Sequence, residues 1–294
     1  MTTAASRPRR SVLYMPGSNA RALEKARTLD VDALILDLED AVAPDAKDVA
    51  RQQVRDAVAG GGYGHRELVI RINSLATPWG ADDLAMAVAA APDAILVPKV
   101  STPADLERVA HQVNGARAPA RVALWAMMET PLAMLNARDI AASAKNPETR
   151  LAGFVMGTND LAKETGARLV PGRAPMRPWL MTCVAAARAH GLAIVDGVFN
   201  GLDDADGFEA ECREGAEMGM DGKTLIHPKQ VAPCNAAFSP SEAEVAWARK
   251  IIAEFEKPEN AQKGAIQVEG KMVERLHAEM GAKLVAIADA IASR

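Results

Sequence analysis

Eight short apolar runs recur along the chain, and longer segments with a helical repeat of apolar positions separate them. A strand that is covered on both faces is apolar at consecutive positions, whereas an amphipathic helix is apolar at every third or fourth position. The runs are Ser11–Pro16, Ala33–Asp40, Glu67–Asn73, Ala94–Val100, 121–129, 151–158, Leu192–Val198 and Gly222–Pro228. Eight strands that alternate with helices predict an α/β fold, a (β/α)8 TIM barrel.

Capping residues and the helical repeat locate the helices between these runs. Asn19 and Thr102 are good N-caps, and Pro131 suits the first turn of a helix. Further predicted helices begin near Asp160 and cover 45–59, 79–91, 179–190 and 205–218.

The pattern changes after Pro233. Ser239 to Glu242 predicts the start of a helix that continues to about Phe255, and a polar linker covers 258–264. A short apolar segment over 265–270 and an amphipathic helix from Lys271 to about Ser293 follow. We therefore divide the chain into a TIM-barrel catalytic domain, residues 1–234, and a C-terminal helical extension, residues 235–294. We expect the extension to pack on its own barrel or on that of a neighbouring copy.

Two of the predicted strands lead into a carboxylate. The run 121–129 ends on Glu129, and the run 151–158 is followed by Asp160. The carboxyl ends of barrel strands share one rim, where barrel active sites lie. Two carboxylates with room left for water and substrate suit Mg²⁺. We predict a magnesium site, with the alternative that both acids only cap or begin helices.

Arg71 and Lys99 lie near the ends of two other predicted strands. The planar guanidinium of Arg71 suits a carboxylate, and a 2-oxo or 2-hydroxy acid could chelate Mg²⁺ through its carboxylate and the adjacent oxygen. Arg71 could instead, or in addition, form an ion pair with Asp37 or Glu39 inside the barrel. Lys99 could bind the substrate or only balance charge in the same network.

Other polar residues near the predicted rim leave two interpretations open. Arg21 and Lys25 are one turn apart on the first predicted helix, a spacing that suits phosphates but is also typical of a solvated charged face. His227 precedes Pro228, which favours a structural hydrogen bond over catalysis, and Asp196 is left open in the same way.

Composition narrows the class of partner. A chain of 294 residues with 49% hydrophobic content can bury a large core, and a net charge of −4 with mixed signs gives no basic surface for nucleic acid. No apolar stretch is long enough to cross a membrane, and the basic N-terminus precedes no apolar segment of a signal peptide. The three separated cysteines predict neither a disulfide framework nor a zinc site. We expect a cytoplasmic protein that binds a small molecule.

Six motifs follow one another in a fixed order: Arg10–Gly17, Leu36–Val42, Arg71–Asn73, Met128–Pro131, Gly157–Leu161 and Gly222–Pro228. Across nearly the whole chain they resemble the citrate lyase β-subunit and malyl-CoA lyase superfamily of CitE-like CoA-ester lyases. The resemblance implies a homotrimeric or homohexameric TIM barrel that uses Mg²⁺. Such enzymes cleave or form a carbon–carbon bond between acetyl-CoA or propionyl-CoA and glyoxylate, pyruvate or oxaloacetate. Malyl-, methylmalyl-, citramalyl- and citryl-CoA are the corresponding substrates.

The resemblance also implies roles for residues. Glu129 and Asp160 would bind magnesium, Arg71 would hold the oxo acid, and Glu39 and Asp40 would lie around the metal-bound water. Residues of the first strand, the first helix and the last strand turn would border the CoA moiety: Tyr14, Arg21, Lys25, Ile226 and Pro228.

The C-terminal extension resembles the lid of the stand-alone CoA lyases, in which an aspartate, often from a neighbouring subunit, acts as the catalytic base. The matching segment Gly270–Arg275 carries Glu274 instead, and an added methylene displaces the carboxylate. Glu274 could also be an ordinary acid at a helix N-terminus. Ala133 and Asn159 depart from the related chains as well, where a glycine and an acid are common. These departures leave the lyase interpretation intact and the choice of substrate open.

Three functions are compatible with these residues. The first is a CoA-dependent lyase, which the lid-like extension and its carboxylate favour. The second is a citrate lyase β-subunit that acts on an acyl-carrier-protein thioester inside a complex. The third is a non-catalytic barrel that binds a metal and an acid. CoA binding separates the first from the second, and Mg²⁺-dependent turnover of a thioester separates both from the third.

Overall fold

The computed structural model describes residues 7–294, which form two compact units. The first unit is Arg9–Phe238, and the second is Ser239–Arg294 with residues 7 and 8. The strands of the first unit are β1 Ser11–Pro16, β2 Ala33–Asp37, β3 Glu67–Arg71, β4 Ala94–Val97, β5 Ala123–Met128, β6 Leu151–Met156, β7 Ala193–Asp196 and β8 Gly222–Leu225. Its α-helices are α1 Ala20–Lys25, α2 Lys47–Gly60, α3 Gly80–Ala90, α4 Pro103–Gly115, α5 Pro131–Leu135, α6 Ala137–Ala142, α7 Thr158–Thr165, α8 Arg177–Ala189, α9 Ala205–Glu217 and α10 Val231–Ala237.

The eight strands pair in parallel in the order of the sequence, and β8 pairs with β1, so that the barrel closes. The predicted (β/α)8 fold is confirmed. Short 3-10 helices occupy several of the connections: Ala26–Thr28, Pro44–Ala46, Ser143–Lys145, Pro147–Thr149 and Pro228–Gln230. Residue 234, where the sequence predicts the end of the barrel domain, lies inside α10.

Side chains along each strand alternate between the barrel interior and the layer beneath the helices. In β5, Trp125 and Met127 belong to the apolar cluster inside the barrel. Leu124 and Met128 belong to the larger cluster under the helices. Because successive strand residues point to opposite faces, the next interior position after Met127 is Glu129. The strand that is apolar throughout therefore delivers a carboxylate to the inside of the rim.

The predicted capping residues begin helices as expected. The Asn19 side chain accepts a hydrogen bond from the Ala22 N–H at 3.0 Å and starts α1. Thr102 forms a capping box at the start of α4, and Pro131 is at the first position of α5, behind Thr130 as the N-cap.

The second unit consists of α11 Glu242–Glu256, the 3-10 helix Pro258–Asn260, the hairpin β9 Ala265–Val268 and β10 Lys271–Glu274, and α12 Arg275–Ala292. Its buried core is Ile251, Phe255, Ile266, Val268 and Val273. No helix within residues 7–294 is long and apolar enough to cross a membrane.

The predicted helix start at Lys271 is wrong. Lys271 to Glu274 is a strand that pairs antiparallel with β9, and the helix begins at Arg275. Glu269 and Gly270 have φ values of 46° and 77°, and positive φ at two central residues is the geometry of a tight hairpin turn. The Glu-Gly pair, which the sequence pattern places at the end of a short segment, is the centre of this turn.

Candidate active site

Tyr14, Asp37, Arg71 and Glu129 form the uppermost layer inside the barrel. Each lies two residues beyond an apolar residue of the interior cluster, so the strand alternation points all four inward. A cavity of about 290 Å³ opens there, and its walls include Tyr14, Arg71, Asp160 and Ile226. The fold thus brings predicted metal, oxo-acid and CoA residues to one cavity at the carboxyl ends of the strands.

Glu129 and Asp160 share one cation in this structure, the ammonium of Lys99. The Lys99 Nζ lies 2.8 Å from Asp160 Oδ1 and 3.7 Å from Glu129 Oε2. Glu129 is fully buried, and its Oε1 accepts a hydrogen bond from the Lys99 backbone N–H at 2.7 Å. Its Oε2 has no hydrogen-bond partner among the described residues. Because Thr130 caps α5, the alternative that Glu129 is a cap is wrong, whereas Asp160 does lie in the first turn of α7.

The electrostatics of the pair suit a divalent cation. Burial raises the pKa of Glu129 to about 7. Partial burial also acts to raise the pKa of Asp160, but the hydrogen bond and the positive charge of Lys99, with smaller contributions from Glu129 and Lys163, together outweigh it and hold that pKa below its ordinary value. A buried carboxylate oxygen without a partner is costly unless a cation or donor satisfies it. The Lys99 ammonium stands in for that cation here.

Gly157 makes room for this arrangement. A Cβ at Gly157 would lie 2.3 Å from the Glu129 Cβ and 2.9 Å from its Oε2, so a side chain there would displace the carboxylate. Residues 7–294 contain no group of three or more His, Cys, Asp or Glu side chains with metal-site geometry. Two carboxylates fit Mg²⁺, which keeps several waters and takes further oxygens from its substrate. Glu129 and Asp160 are therefore the residues that could hold it.

Arg71 makes the ion pair that the sequence analysis gave as its alternative role. Its Nε and Nη2 donate to the two oxygens of Asp37 at 2.7 and 2.6 Å, a bidentate contact that is buried. Its Nη1 lies 2.8 Å from Glu39 Oε2 and 3.3 Å from Asp40 Oδ2. The Tyr14 ring covers the guanidinium, with 4.8 Å between the Arg71 Cζ and the ring centroid. Asp37 fixes the Nε and Nη2 edge of the guanidinium. The Nη1 edge faces Glu39 and Asp40, whose place the carboxylate of a ligand could take.

Glu39 and Asp40 follow β2 and lie beside Arg71, but they differ in environment. The Glu39 side chain is 12% exposed and that of Asp40 is 65% exposed. Burial raises the pKa of Glu39 to about 8. Lys47 donates to the backbone oxygens of Leu38 and Glu39, both at 2.8 Å, and so holds the turn that carries the two acids.

The residues predicted to border CoA are distributed over the rim. Tyr14 and Ile226 line the cavity, whereas Arg21 and Lys25 are exposed on α1. Pro228 begins a 3-10 helix, and His227 is its N-cap: its Nδ1 accepts from the Lys229 N–H at 3.1 Å. The structural role favoured for His227 is therefore the one that the structure shows.

Glu274 belongs to the second unit, where it is the N-cap of α12 and is partly exposed. Its backbone N–H donates to His277 Nδ1 at 2.9 Å. The alternative of an acid at a helix N-terminus describes this position, and a role as catalytic base stays a prediction.

A buried ion cluster was missed by the sequence analysis. Asp196 is fully buried and pairs with Arg173 at 2.7 Å and with Lys223 at 3.1 Å. Because Ile194, two residues earlier, packs under the helices, Asp196 faces away from the barrel interior. Asp196 therefore takes no part in the cavity that holds Asp160. The polar pair Lys223–Thr224 inside an apolar run was the available signal.

Residues 10–228 match the HpcH/HpaI aldolase/citrate lyase family. The chain belongs to this family. The matched range covers the barrel and every candidate site residue except Glu274, and it confirms the resemblance that the six motifs indicate. The chain is thus an enzyme of the HpcH/HpaI aldolase/citrate lyase family.

Individual relatives cover almost the whole chain. This chain is 52% identical over 286 residues to a (3S)-malyl-CoA thioesterase of Cereibacter sphaeroides, and the aligned region covers 97% of this chain and 96% of the relative. It is 36% identical to an L-malyl-CoA/beta-methylmalyl-CoA lyase of the same species, over 92% of this chain and 91% of the relative. Among solved structures, CitE of Mycobacterium tuberculosis in complex with magnesium, acetoacetate and coenzyme A has a TM-score of 0.76 at 28% identity, covering 98% of this chain and 100% of that one.

Proposed function

We propose that this enzyme cleaves CoA thioesters of the malyl-CoA type with Mg²⁺ as its cofactor. The observation that carries the proposal is the Lys99 ammonium that the buried Glu129 shares with Asp160. Arg71 lies at the same cavity as Asp160. A divalent cation and a guanidinium together suit a short hydroxy acid whose carboxylate and neighbouring oxygen bind as one unit. The names of the malyl-CoA relatives and the magnesium and CoA of the CitE complex support this class of substrate.

The enzyme could cleave either of two bonds in such a substrate, the thioester bond or a carbon–carbon bond. Hydrolysis adds water to the thioester and releases malate and CoA, and we place it first because the thioesterase relative is 52% identical whereas the lyase relative is 36% identical. Carbon–carbon cleavage, the reaction predicted from the sequence, gives acetyl-CoA and glyoxylate without water.

The side chains at the cavity have different roles in binding the substrate. Mg²⁺ held by Glu129 and Asp160 would supply Lewis-acid polarisation of the bound oxygens. Lys99, once it leaves Asp160, keeps an ammonium at the cavity edge that can pair with a substrate carboxylate. Arg71 is held in place by Asp37, so its Nη1 edge can bind a carboxylate with little loss of side-chain entropy.

Product analysis on (3S)-malyl-CoA separates the two reactions. Free thiol and malate in equal amounts are expected for hydrolysis, and glyoxylate with acetyl-CoA for carbon–carbon cleavage. The same malyl group on an acyl carrier protein tests the citrate lyase β-subunit alternative, which requires faster turnover of that thioester than of the CoA ester. An absence of Mg²⁺-dependent turnover of any thioester on either carrier would favour the non-catalytic barrel.

Magnesium affinity is expected to depend on pH. The pKa of Glu129 is raised to about 7, so below this pH the metal must displace a proton from a protonated ligand. The apparent Kd for Mg²⁺ should therefore rise by up to about tenfold for each pH unit below 7 and level off above it. Calorimetric titration at pH 6, 7 and 8 measures this. An affinity that is flat from pH 6 to 8 would contradict the assignment of Glu129 as a buried ligand.

Glu274→Ala is expected to keep Mg²⁺ binding but lose most turnover, because Glu274 is proposed as the base of the lid. Glu274→Asp is expected to retain activity or to change the ratio of hydrolysis to carbon–carbon cleavage. Removing the N-cap costs about 1 kcal/mol of stability at most helices, so both variants need a melting curve as a control. Unchanged kcat in Glu274→Ala would show that the base lies elsewhere.

We also propose a homotrimer or homohexamer, in which Glu274 could serve a neighbouring copy. Light scattering measures the mass. Mixing Glu274→Ala with Glu129→Gln subunits tests the sharing, since only a site built from two copies would regain activity. Mixed oligomers without activity would place Glu274 and the metal site in the same copy.

A further inference from the structure

Tyr14 reaches across the barrel interior to the wall that carries Glu129. It lies on β1, and its hydroxyl contacts the Met127 Sδ of β5 at 3.7 Å, four strands further along the closed barrel. The methyl end of Met127 lies beside Gly157, where an added Cβ would be 3.2 Å from the Met127 Cε and 2.3 Å from the Glu129 Cβ. The Tyr14 hydroxyl is therefore on the Glu129 side of the active-site cavity, which Tyr14 and Met127 both line.

This hydroxyl has no strong acceptor in the protein. Within residues 7–294 its hydrogen-bond partner is the Met127 sulfur, and a thioether is a weak acceptor. A tyrosine hydroxyl in a protein interior usually bonds to an oxygen or a nitrogen. The Arg71 guanidinium lies over the ring, 4.8 Å from its centroid, and holds it in place. Tyr14 thus presents a fixed donor to the cavity, and an oxygen atom of a bound molecule would satisfy it.

The other neutral side-chain donors that line the cavity are engaged within the protein or packed against its wall. Thr224 donates to the backbone oxygen of the last residue of β7 at 2.8 Å. Asn159 exchanges two hydrogen bonds, at 2.8 and 3.2 Å, with the amide of Asn200. Thr158 packs against the glycine that follows β7, and its Oγ1 would be 2.5 Å from a Cβ added there. Tyr14 is thus the neutral side chain that is best placed to donate to a ligand.

The environment of Tyr14 keeps its hydroxyl protonated. Burial raises the pKa of Tyr14 well above its ordinary value, although the charge of Arg71 opposes the shift. The phenol is therefore a hydrogen-bond donor at neutral and moderately alkaline pH, and it does not act as a base. A fixed donor of this kind has its largest effect where negative charge appears during a reaction.

Hydrolysis and carbon–carbon cleavage both place negative charge on the thioester carbonyl oxygen. In hydrolysis, water loses a proton to a base as it bonds to the thioester carbon, and the C=O electron pair moves onto the oxygen. The return of this pair expels the CoA thiolate. In carbon–carbon cleavage, the substrate hydroxyl loses its proton and becomes the glyoxylate carbonyl. The electron pair of the broken bond then forms the enolate of acetyl-CoA, with its charge on the same oxygen, before a proton is added to carbon.

We propose that the Tyr14 hydroxyl donates a hydrogen bond to the thioester carbonyl oxygen of the substrate and stabilises the charge that this oxygen gains. The metal pair and the Nη1 edge of Arg71 suit the hydroxy-acid oxygens, and one methylene separates the hydroxyl-bearing carbon from the thioester carbon. This role rests on the proposed function for the identity of the substrate, but it applies to either bond. It places Tyr14 at the reacting group, whereas the resemblance implies only that Tyr14 borders the CoA moiety.

Tyr14→Phe removes the hydroxyl and keeps the ring that covers Arg71. The kcat for (3S)-malyl-CoA is expected to fall by about a hundredfold to a thousandfold, as for the loss of one oxyanion donor. KM, the Kd for Mg²⁺ and the melting temperature should change little. Tyr63→Phe is the matched control, because its buried hydroxyl donates to the Leu23 backbone oxygen at 3.1 Å, outside the cavity, and it should keep the wild-type kcat. An unchanged kcat in Tyr14→Phe, or a change confined to KM, would contradict the proposal.

Infrared spectra of acetyl-CoA that is isotopically labelled at its carbonyl carbon test the hydrogen bond without turnover. A hydrogen bond to the carbonyl oxygen weakens the C=O bond. With Mg²⁺ present, the band of the bound thioester is therefore expected at lower wavenumber in wild type and Tyr63→Phe than in Tyr14→Phe. The same band position in wild type and Tyr14→Phe would overturn the proposal. A wild-type enzyme that shows the difference but turns over no malyl-CoA would support the hydrogen bond and contradict the proposed function.

Discussion

Glu129→Gln and Asp160→Asn are each expected to lower Mg²⁺-dependent turnover by more than about a hundredfold, because outer-shell changes at metal sites already cost 10–100-fold. Each replacement keeps the size of the side chain and removes a charged oxygen ligand. Burial raises the pKa of Glu129 to about 7. The neutral amide that replaces its carboxylate introduces no buried charge into the fold. Initial rates on (3S)-malyl-CoA over a range of Mg²⁺ concentrations measure the loss.

A conservative change at an exposed acid outside the pair provides the control. Asp139→Asn, in α6 of the same barrel, removes the same charge and should leave both rate and Mg²⁺ affinity unchanged. Wild-type turnover in either Glu129→Gln or Asp160→Asn would show that magnesium, if it acts, is held by other groups.

Arg71→Lys is expected to lower kcat/KM by about a hundredfold or more, chiefly through KM. An ammonium cannot donate in parallel to both oxygens of Asp37 and still present a second edge to a substrate carboxylate. The change also weakens a buried ion pair, and breaking such pairs costs about 3–5 kcal/mol. Steady-state kinetics and thermal unfolding on the same preparation separate the two effects.

Arg173→Lys is the matched control for this variant. Arg173 is buried like Arg71 and also pairs with a buried aspartate, through its Nη1, but it lies outside the barrel interior. A similar loss of stability is expected in both variants, with a rise in KM only for Arg71→Lys. Equal KM values in the two variants would make Arg71 a structural residue.

The sequence allowed the barrel and the order of the site motifs to be predicted, because each strand and each capping residue acts locally. Asn19, Thr102 and Pro131 begin helices through contacts within one turn. The direction in which each strand residue points was harder to predict. A strand that is apolar on both faces carries no alternation, so Glu129 and Asp196 look equivalent in the sequence although one points into the barrel and the other points away.

Most of the remaining differences between the prediction and the structure involve ion pairs between residues that are distant in the sequence. Arg173 lies in a segment without helical or strand periodicity, and its partners Asp196 and Glu214 are distant in the sequence. Lys99 was expected to bind substrate or balance charge, and its position between two carboxylates depends on the neighbouring strands β5 and β6. The hairpin at Glu269–Gly270 was a local signal that the helical pattern of the following residues obscured.

Thiol release from (3S)-malyl-CoA, followed with wild-type enzyme that has been stripped by a chelator and then reloaded with Mg²⁺, tests the central claim most directly. The proposed function predicts no release above the uncatalysed rate after stripping, and full recovery on addition of Mg²⁺, with one malate formed for each thiol. Recovery that yields acetyl-CoA and glyoxylate in place of thiol would keep the metal site but assign the lyase reaction. Release that is the same with and without Mg²⁺ would contradict the claim that Glu129 and Asp160 hold the cofactor of this enzyme.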